Sequence, residues 1–315
     1  MAQPEPTAEV SKPWYGVLPR PRAVARTVHF LRYSLQLVQS PNNGSVNELQ
    51  RWMTEEMDFR CPLRESAPSR AIVRSHFTAT TTPTVAGIFS ALVFRLITYN
   101  SEALRRTDPT MRKVLFHDLL EWNDYMGYLR NAFEDQPEEF FCNPRAIGSR
   151  PLKRSPAHAV QYWEVAHILH AQLCLSSEAP TFSGCRNVLS ALKRKHSIPQ
   201  LGTLTAYLLL TDLVYATVVE MPTAEEVAQF MYEFWKGGIR GLQILGYLPY
   251  PNANASKVRT EALEVVVAAF SQFCEDVSQL LTEEENQKMG WNPIIAEHTL
   301  CKISRCYDRH LWSSI

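Results

Sequence analysis

The sequence predicts an all-α protein. Apolar residues recur at helical spacing in segment after segment, and no stretch shows the strict alternation of a half-buried strand. The breaks between those segments are clusters of Pro, Gly, Ser and Asn, residues that end helices and shape turns. With 315 residues, 45% of them hydrophobic, the chain can build a sizeable core in one large or two average domains.

In chain order, residues 1–21 are rich in Pro, Ala and charge and read as a flexible tail. Val24, Val28, Phe30, Leu31, Leu35 and Leu37 place a helix over Arg22 to Val38, which ends at Ser40-Pro-Asn-Asn-Gly. A short helix follows over Val46 to Met57. The stretch Phe59 to Arg70 is too rich in Pro and Ser for a helix and leads into one over Ala71 to Phe77. Thr78 to Thr84 is a loop, Val85 to Tyr99 a strongly apolar buried helix, and Met111 to Tyr128 an amphipathic one. These elements form an expected N-terminal helical lobe, residues 22–135. Pro137, Pro144, Gly148 and Pro151 mark an irregular connection over 136–156. The second lobe, 157–315, has helices over Ala157 to Leu175, Gly184 to Lys195, Thr203 onward, Thr223 to Phe234, Val258 to Leu281 and Asn292 to Leu311. The helix from Thr223 is signalled by Pro222-Thr223 with Glu225 and Glu226 in its first turn. A Gly-rich break, Lys236 to Leu242, ends it, and Leu242 to Tyr247 forms a short helical turn.

Charge and cysteine usage narrow the function classes. Basic and acidic side chains balance at 32 each, so a nucleic-acid contact has to come from a local patch, and a bulk coat for DNA is disfavoured. The seven cysteines are scattered without a C-x-x-C pair, which gives no disulfide framework or zinc ribbon and points to a reducing compartment. The longest apolar run, Leu204 to Val219, is short of the roughly 18 to 20 residues a membrane span needs and carries Asp212 at its middle. A soluble protein without membrane partner is expected. The N-terminus lacks the apolar core of a secretory signal, and Glu5 and Glu9 weigh against a mitochondrial presequence. The expected location is intracellular, in the nucleus.

The stretch Ile198 to Tyr215, IPQLGTLTAYLLLTDLVY, joins a polar-basic helix to an apolar one through a Pro/Gly turn. Gly202 lets the backbone approach another surface, and the first amides of the helix from Thr203 have no intrahelical acceptor and lie at its positive end. A phosphate fits such a terminus. The other reading is a tight connection between two core helices. Asp212, within the apolar second helix, is costly to bury unless paired. It is either a catalytic carboxylate with a raised pKa or a strut paired with an arginine.

Arg64, Glu65 and Arg70 form either a phosphate clamp, since guanidinium forks onto oxyanions, or a surface ion-pair cluster. Gly237, Gly238 and Gly241 with Arg240 offer an amide nest for an anion, or a helix C-cap. Glu164, His167 and His170 share one helical face but lack a third ligand of standard spacing, and Cys301, Cys306, His298 and His310 show no zinc pattern. No metal and no cofactor are assigned.

Three stretches then match one pattern in order: the hairpin IPQLGTLTAYLLLTDLVY, the segment FWKGGIRGL from Phe234 to Leu242, and IIAEHTLCKISRCYDRHL from Ile294 to Leu311. The loop FRCPLRESAPSR adds a weaker fourth match. Together they resemble the alpha-glutamyl/putrescinyl thymine pyrophosphorylases, also described as the helical domain of 5-hydroxymethyl-deoxyuridine DNA kinases, over roughly Val24 to Leu311. The hairpin pattern I-P-x-L-G-x-x-T-A itself resembles that of helix-hairpin-helix DNA glycosylases, which hold a backbone phosphate with it.

The resemblance implies a helix-hairpin-helix DNA-glycosylase-like fold of two helical lobes with a cleft between them, and DNA as partner. It implies a transferase of DNA modification that replaces the pyrophosphate of a pyrophosphorylated 5-hydroxymethyluracil with an amine co-substrate. The base is reached by flipping or in a single strand. Arg64, Arg70, Arg240 and the amides of Gly237 and Gly238 are then available to the leaving pyrophosphate, Gly202 and Thr203 to a DNA phosphate, and Glu65, Asp212 or Glu297 to deprotonate the amine. The chain departs from the pattern at Cys61, where Asn is usual, and at Ala67 or Ser69, where Asp is usual. It departs again at Lys236-Gly237-Gly238 for G-P-G, at Ser304-Arg305 for Asp-Lys, and at Gln200, where the turn usually has Gly. A catalytically degenerate member, kept as a nucleic-acid-binding or scaffolding subunit of a protein complex, is the alternative.

Overall fold

The computed structural model describes residues 20–40, 47–132, 155–175, 178–196, 198–235, 237–249 and 261–314. Among the described residues there are fifteen α-helices and no strand. No described helix is long and apolar enough to cross a membrane. Residues 1–19, 133–154 and 250–260 lie outside the described residues, and with them the expected tail, most of the expected 136–156 connection and the expected helix start at Val258.

Helix α1 spans Arg20–Gln39 and buries Val24, Val28, Phe30, Leu31 and Leu37 as expected. Helix α2, Glu48–Glu55, begins at a capping box in which Asn47 accepts from the Gln50 amide and the Gln50 side chain accepts from the Asn47 amide. One further turn, α3 (Met57–Arg60), leads into the loop of Arg64 and Glu65, where Arg64–Ser66 make a 3₁₀ turn. Helix α4 starts at Pro68 and ends at Arg74. Its start lies three residues ahead of the expected Ala71, because Pro at the first helical position has no amide to leave unpaired.

Thr84 caps α5 (Val85–Val93), and the chain then widens into a π-helical turn, Phe94–Thr98, closed by the Tyr99 amide donating to Phe94 O at 2.7 Å. After α6 (Glu102–Arg106), helix α7 covers Leu119–Ala132 only. The expected start at Met111 is wrong. Residues 112–116 are not helical, the Phe116 amide donates to Ser90 Oγ at 2.8 Å, and Val114 and Phe116 are buried in the core. The Asp118 carboxylate accepts from the Glu121 amide and sets the later start.

In the second half, α8 (Ala159–Leu173) and α9 (Phe182–His196) precede the hairpin, and α10 (Thr203–Tyr215) follows it. Helix α11 is Ala224–Phe234, with the predicted capping box at Thr223 and Glu226, and it ends at Trp235 in the left-handed region (φ 40°). The expected Gly-rich break is instead helix α12, Gly237–Ile244. Its glycines let it lie almost backbone to backbone on the last long helix. Helices α13 (Leu263–Ser278), α14 (Glu283–Met289) and α15 (Pro293–Asp308) complete the chain. Sequence reading merged none of α14 into a helix, although Thr282 and Glu285 form a capping box there.

One hydrophobic cluster runs from Ala23 to Trp312. Helix α10 sits inside it: Tyr207 to Leu210 and Leu213 are buried in a row, and α5, the π turn, α9 and α11 pack around it. Helix α1 packs against α13 and α15, so the first and last long described helices share the core.

Candidate functional site

The hairpin itself is well held. The Tyr162 hydroxyl donates to Pro199 O at 3.1 Å, and Thr205 Oγ1 donates to Gln200 O at 2.6 Å and to Gly202 O at 3.0 Å. Gln200 adopts φ +64°, the left-handed region that favours Gly and strains other residues. Gln therefore stands at the one turn position where Gly would relax the backbone. Gly202 is exposed and extended, and it precedes α10 without a side-chain cap. Thr203 is half-buried. Lys193, Arg194, Lys195 and His196, all exposed, end the preceding helix and bring a basic run to the turn.

Asp212 lies nine residues along α10, roughly 14 Å from the turn, and is the hub of a different feature. Its side chain is 1% exposed and holds three arginines. Arg95 forks onto it, Nε to Oδ2 at 2.6 Å and Nη2 to Oδ1 at 2.7 Å. Arg64 Nη2 donates to Oδ1 and to Leu208 O, each at 2.8 Å. Arg70 Nη1 stands 3.4 Å from the same Oδ1, while its Nε and Nη2 fork onto Glu65 at 2.8 and 2.9 Å. Burial alone pushes the Asp212 carboxyl up, but Arg95, Arg64 and Arg70 together outweigh it and hold the group far below the usual carboxylate range. Of the two readings of Asp212, the paired strut is the one observed. The raised pKa is not.

The surroundings hold the arginines in turn. Arg95 lies over the Tyr99 ring at 4.2 Å. The Tyr99 hydroxyl donates to Asp58 O at 3.2 Å, and the Asp58 carboxylate accepts from the Ser69 amide at 2.8 Å and its hydroxyl at 2.7 Å. Ser69 Oγ also accepts from the Asn100 amide at 3.0 Å. Arg64 and Arg70 are buried, 3% and 1% exposed, so they do not form the surface cluster that was one of their two readings.

Helix α15 closes the cluster. His298 Nε2 meets Arg64 Nη1 at 3.1 Å. A guanidinium only donates, so Nε2 accepts and the ring is neutral with its proton on Nδ1. Burial first, and Arg64 next, push the His298 pKa well down. Glu297 beside it is buried and accepts from the Cys301 thiol at 2.8 Å, and burial raises its pKa. One turn on, Lys302 Nζ donates to Phe59 O at 2.8 Å, and Arg305 donates to the same oxygen with its guanidinium 3.6 Å from the Phe59 ring centre. Burial and the neighbouring Arg305 pull Lys302 down to about 7.

The Gly-rich segment plays another part. A Cβ on Gly237 would lie 2.8 Å from Cys301 Sγ, one on Gly238 2.8 Å from Met231 Cε, and one on Gly241 2.5 Å from Leu300 O. Gly237 and Gly241 allow α12 to approach α15, Gly238 lets it pass Met231 of α11, and the segment is a helix where a break with a C-cap was one expectation. Arg240 points away from the cluster and pairs with Asp308 at the surface, 46% and 47% exposed. Glu164 and His167 are exposed as well, and His167 packs edge-on against Trp163.

Thus Arg64, Glu65, Arg70, Asp212 and Glu297 are brought to one place, while Gly202 and Thr203 sit at the hairpin and Arg240 on another face. Compared with protein-family models, curated proteins and solved structures, the chain matches none. Sequence reading missed Arg95, His298 as an arginine partner, and the pair Lys302 and Arg305. Arg95 had a signal: it is the one charge in the apolar run Val85 to Tyr99, the counterpart of Asp212 in its own apolar run.

Proposed function

We propose that this chain acts on DNA in the manner of the thymine-hypermodifying proteins it resembles, displacing pyrophosphate from a modified thymine with an amine. One observation supports the reading above the others. The loop, hairpin and C-terminal stretches that carry the resemblance are far apart in sequence, and they meet in a single contact: Arg64 donates to Asp212 and touches His298. In this reading the hairpin turn and the basic run before it grip a backbone phosphate, and a two-lobed glycosylase-like arrangement presents the base to the cluster. Arg64 and Arg70 face the leaving group. Glu297, whose carboxyl pKa is pushed up by burial, is the group with the proton affinity to take a proton from the amine, since Asp212 and Glu65 are occupied by arginines and the His298 lone pair accepts from Arg64.

That occupation favours a second reading. With both acids committed to ion pairs, the same fold serves as a nucleic-acid-binding subunit without chemistry. Incubation with DNA bearing pyrophosphorylated 5-hydroxymethyluracil and an amine, followed by nucleoside mass spectrometry, separates the two. An aminated base supports the first reading. An unaltered base with measurable DNA binding supports the second, and an unaltered base without DNA binding removes both.

A further inference from the structure

Glu297 is held differently from Asp212 and Glu65. Asp212 takes three arginines and Glu65 takes the Arg70 fork. Glu297, 2% exposed, takes one hydrogen bond among the described residues, from the Cys301 thiol to Oε1 at 2.8 Å. No described donor reaches Oε2, and His298 Nε2, 3.9 Å from it, accepts from Arg64.

The thiol stands one turn further along α15, four residues on, where two side chains of a helix share a face. Helix α12 leaves the space for the pair. A Cβ on Gly237 would lie 2.8 Å from Cys301 Sγ, and one on Gly238 3.4 Å from Glu297 Oε1. Side chains at those two positions would press on the thiol and on the oxygen it holds.

The character of the donor decides what the contact can do. A guanidinium fork brings a full charge and takes proton affinity from the carboxylate it holds, as at Asp212. An S–H is neutral and a weak donor. It orients a carboxylate and favours the charged form while leaving most of the basicity in place.

We propose that Cys301 is the positioning residue of Glu297: its S–H fixes Oε1, stabilises the ionised carboxylate in the core and leaves Oε2 as the basic atom. The role of Glu297 as base rests on the function proposed above, whereas the coupling of thiol to carboxyl is a property of the folded chain alone. The other charged or titratable groups that act on Glu297 are His298, Lys302 and Arg305 of its own helix, Arg64 of the 3₁₀ turn and Tyr207 of α10. All of them stay in the variants at Cys301.

The test follows the Glu297 carboxyl by NMR of the full chain carrying isotope-labelled glutamate, without DNA or amine, with Glu297→Gln to assign the signal. Cys301→Ala is expected to raise the midpoint of its titration by about one pH unit, the effect of one hydrogen bond to a charged group. Cys301→Ser keeps a donor and is expected to restore most of that shift. An unmoved midpoint in Cys301→Ala overturns the proposal, and so does a serine variant that titrates like the alanine one. A second measurement needs no alanine variant. The Cys301 S–H stretching band, assigned by its loss in Cys301→Ser, is expected to shift as Glu297 titrates, and a band indifferent to pH overturns the coupling. These outcomes are separate from the amination assay. A coupled carboxyl in a chain that aminates nothing removes the activity and leaves the coupling, and an aminating chain with an uncoupled carboxyl does the reverse.

Discussion

Two arginine–aspartate contacts in this molecule differ in almost everything but their chemistry. Asp212 and its three arginines are sealed in the core, whereas Arg240 and Asp308 meet at the surface with nearly half of each side chain in solvent. Water screens the second pair and competes for it, so a pair of that kind contributes about 0 to 1 kcal/mol. The first has no such competitor. Removing one partner there strands desolvated charge, and the same residue types become obligatory to one another. Arginine and aspartate in a motif therefore say little until their depth is known.

Four measurements test the contrast, in order of expected size. Asp212→Ala leaves three buried guanidiniums without their carboxylate and is expected to cost about 3 to 5 kcal/mol in denaturant unfolding. Adding Arg95→Met should recover part of it. A loss under 1 kcal/mol would mean that the core pair is no stronger than the surface one.

The second is a pH dependence. Lys302 has a folded pKa of about 7, below its value of 10.5 in an unfolded chain. Between those values the folded state binds fewer protons, so stability should rise with pH from about 7 toward 10.5. The slope has an upper bound of about 1.4 kcal/mol per pH unit. Lys302→Met should flatten the rise, and an unchanged profile would assign it to another group.

The third is Gln200→Gly at the hairpin, which relieves the positive φ but loosens the unfolded chain. A net gain of up to about 1 kcal/mol is expected in thermal unfolding, and a loss would show that the Gln200 side chain is held by something worth more. Last, Arg240→Ala should change stability by less than about 0.5 kcal/mol. If the exposed face of α12 touches DNA, the same variant lowers affinity and reduces the salt slope by about one. No change in either removes Arg240 from the DNA surface.

Much of the fold could be read from the sequence because helix signals are local. The spacing in α1, the Thr223 capping box and the Asn292 cap of α15 are written within a few residues of where they act. The failures were contacts made at a distance. Nothing in residues 111–118 says that Phe116 will be drawn onto Ser90, and nothing in a Gly-Gly-x-x-Gly run says that another helix will lie against it. The site divides in the same way. Asp212 was conspicuous as a charge in an apolar run, but its partners come from positions 64, 70 and 95. Arg95 is as conspicuous in its own apolar run, but nothing near it in sequence names Asp212 as its partner.

The π turn at Phe94–Thr98 has a consequence for comparing this chain with others. Such a turn holds one residue more than an α-helical register accommodates, and everything after it is set by that extra residue. Deleting one position between Arg95 and Tyr99 would rotate the downstream backbone by roughly 100°. Tyr99 would leave the Arg95 guanidinium, and the Asn100 amide would leave Ser69. A single-residue gap in an alignment at this point would thus mark a chain that has lost the support of its buried carboxylate, even where every arginine and Asp212 itself were still in place.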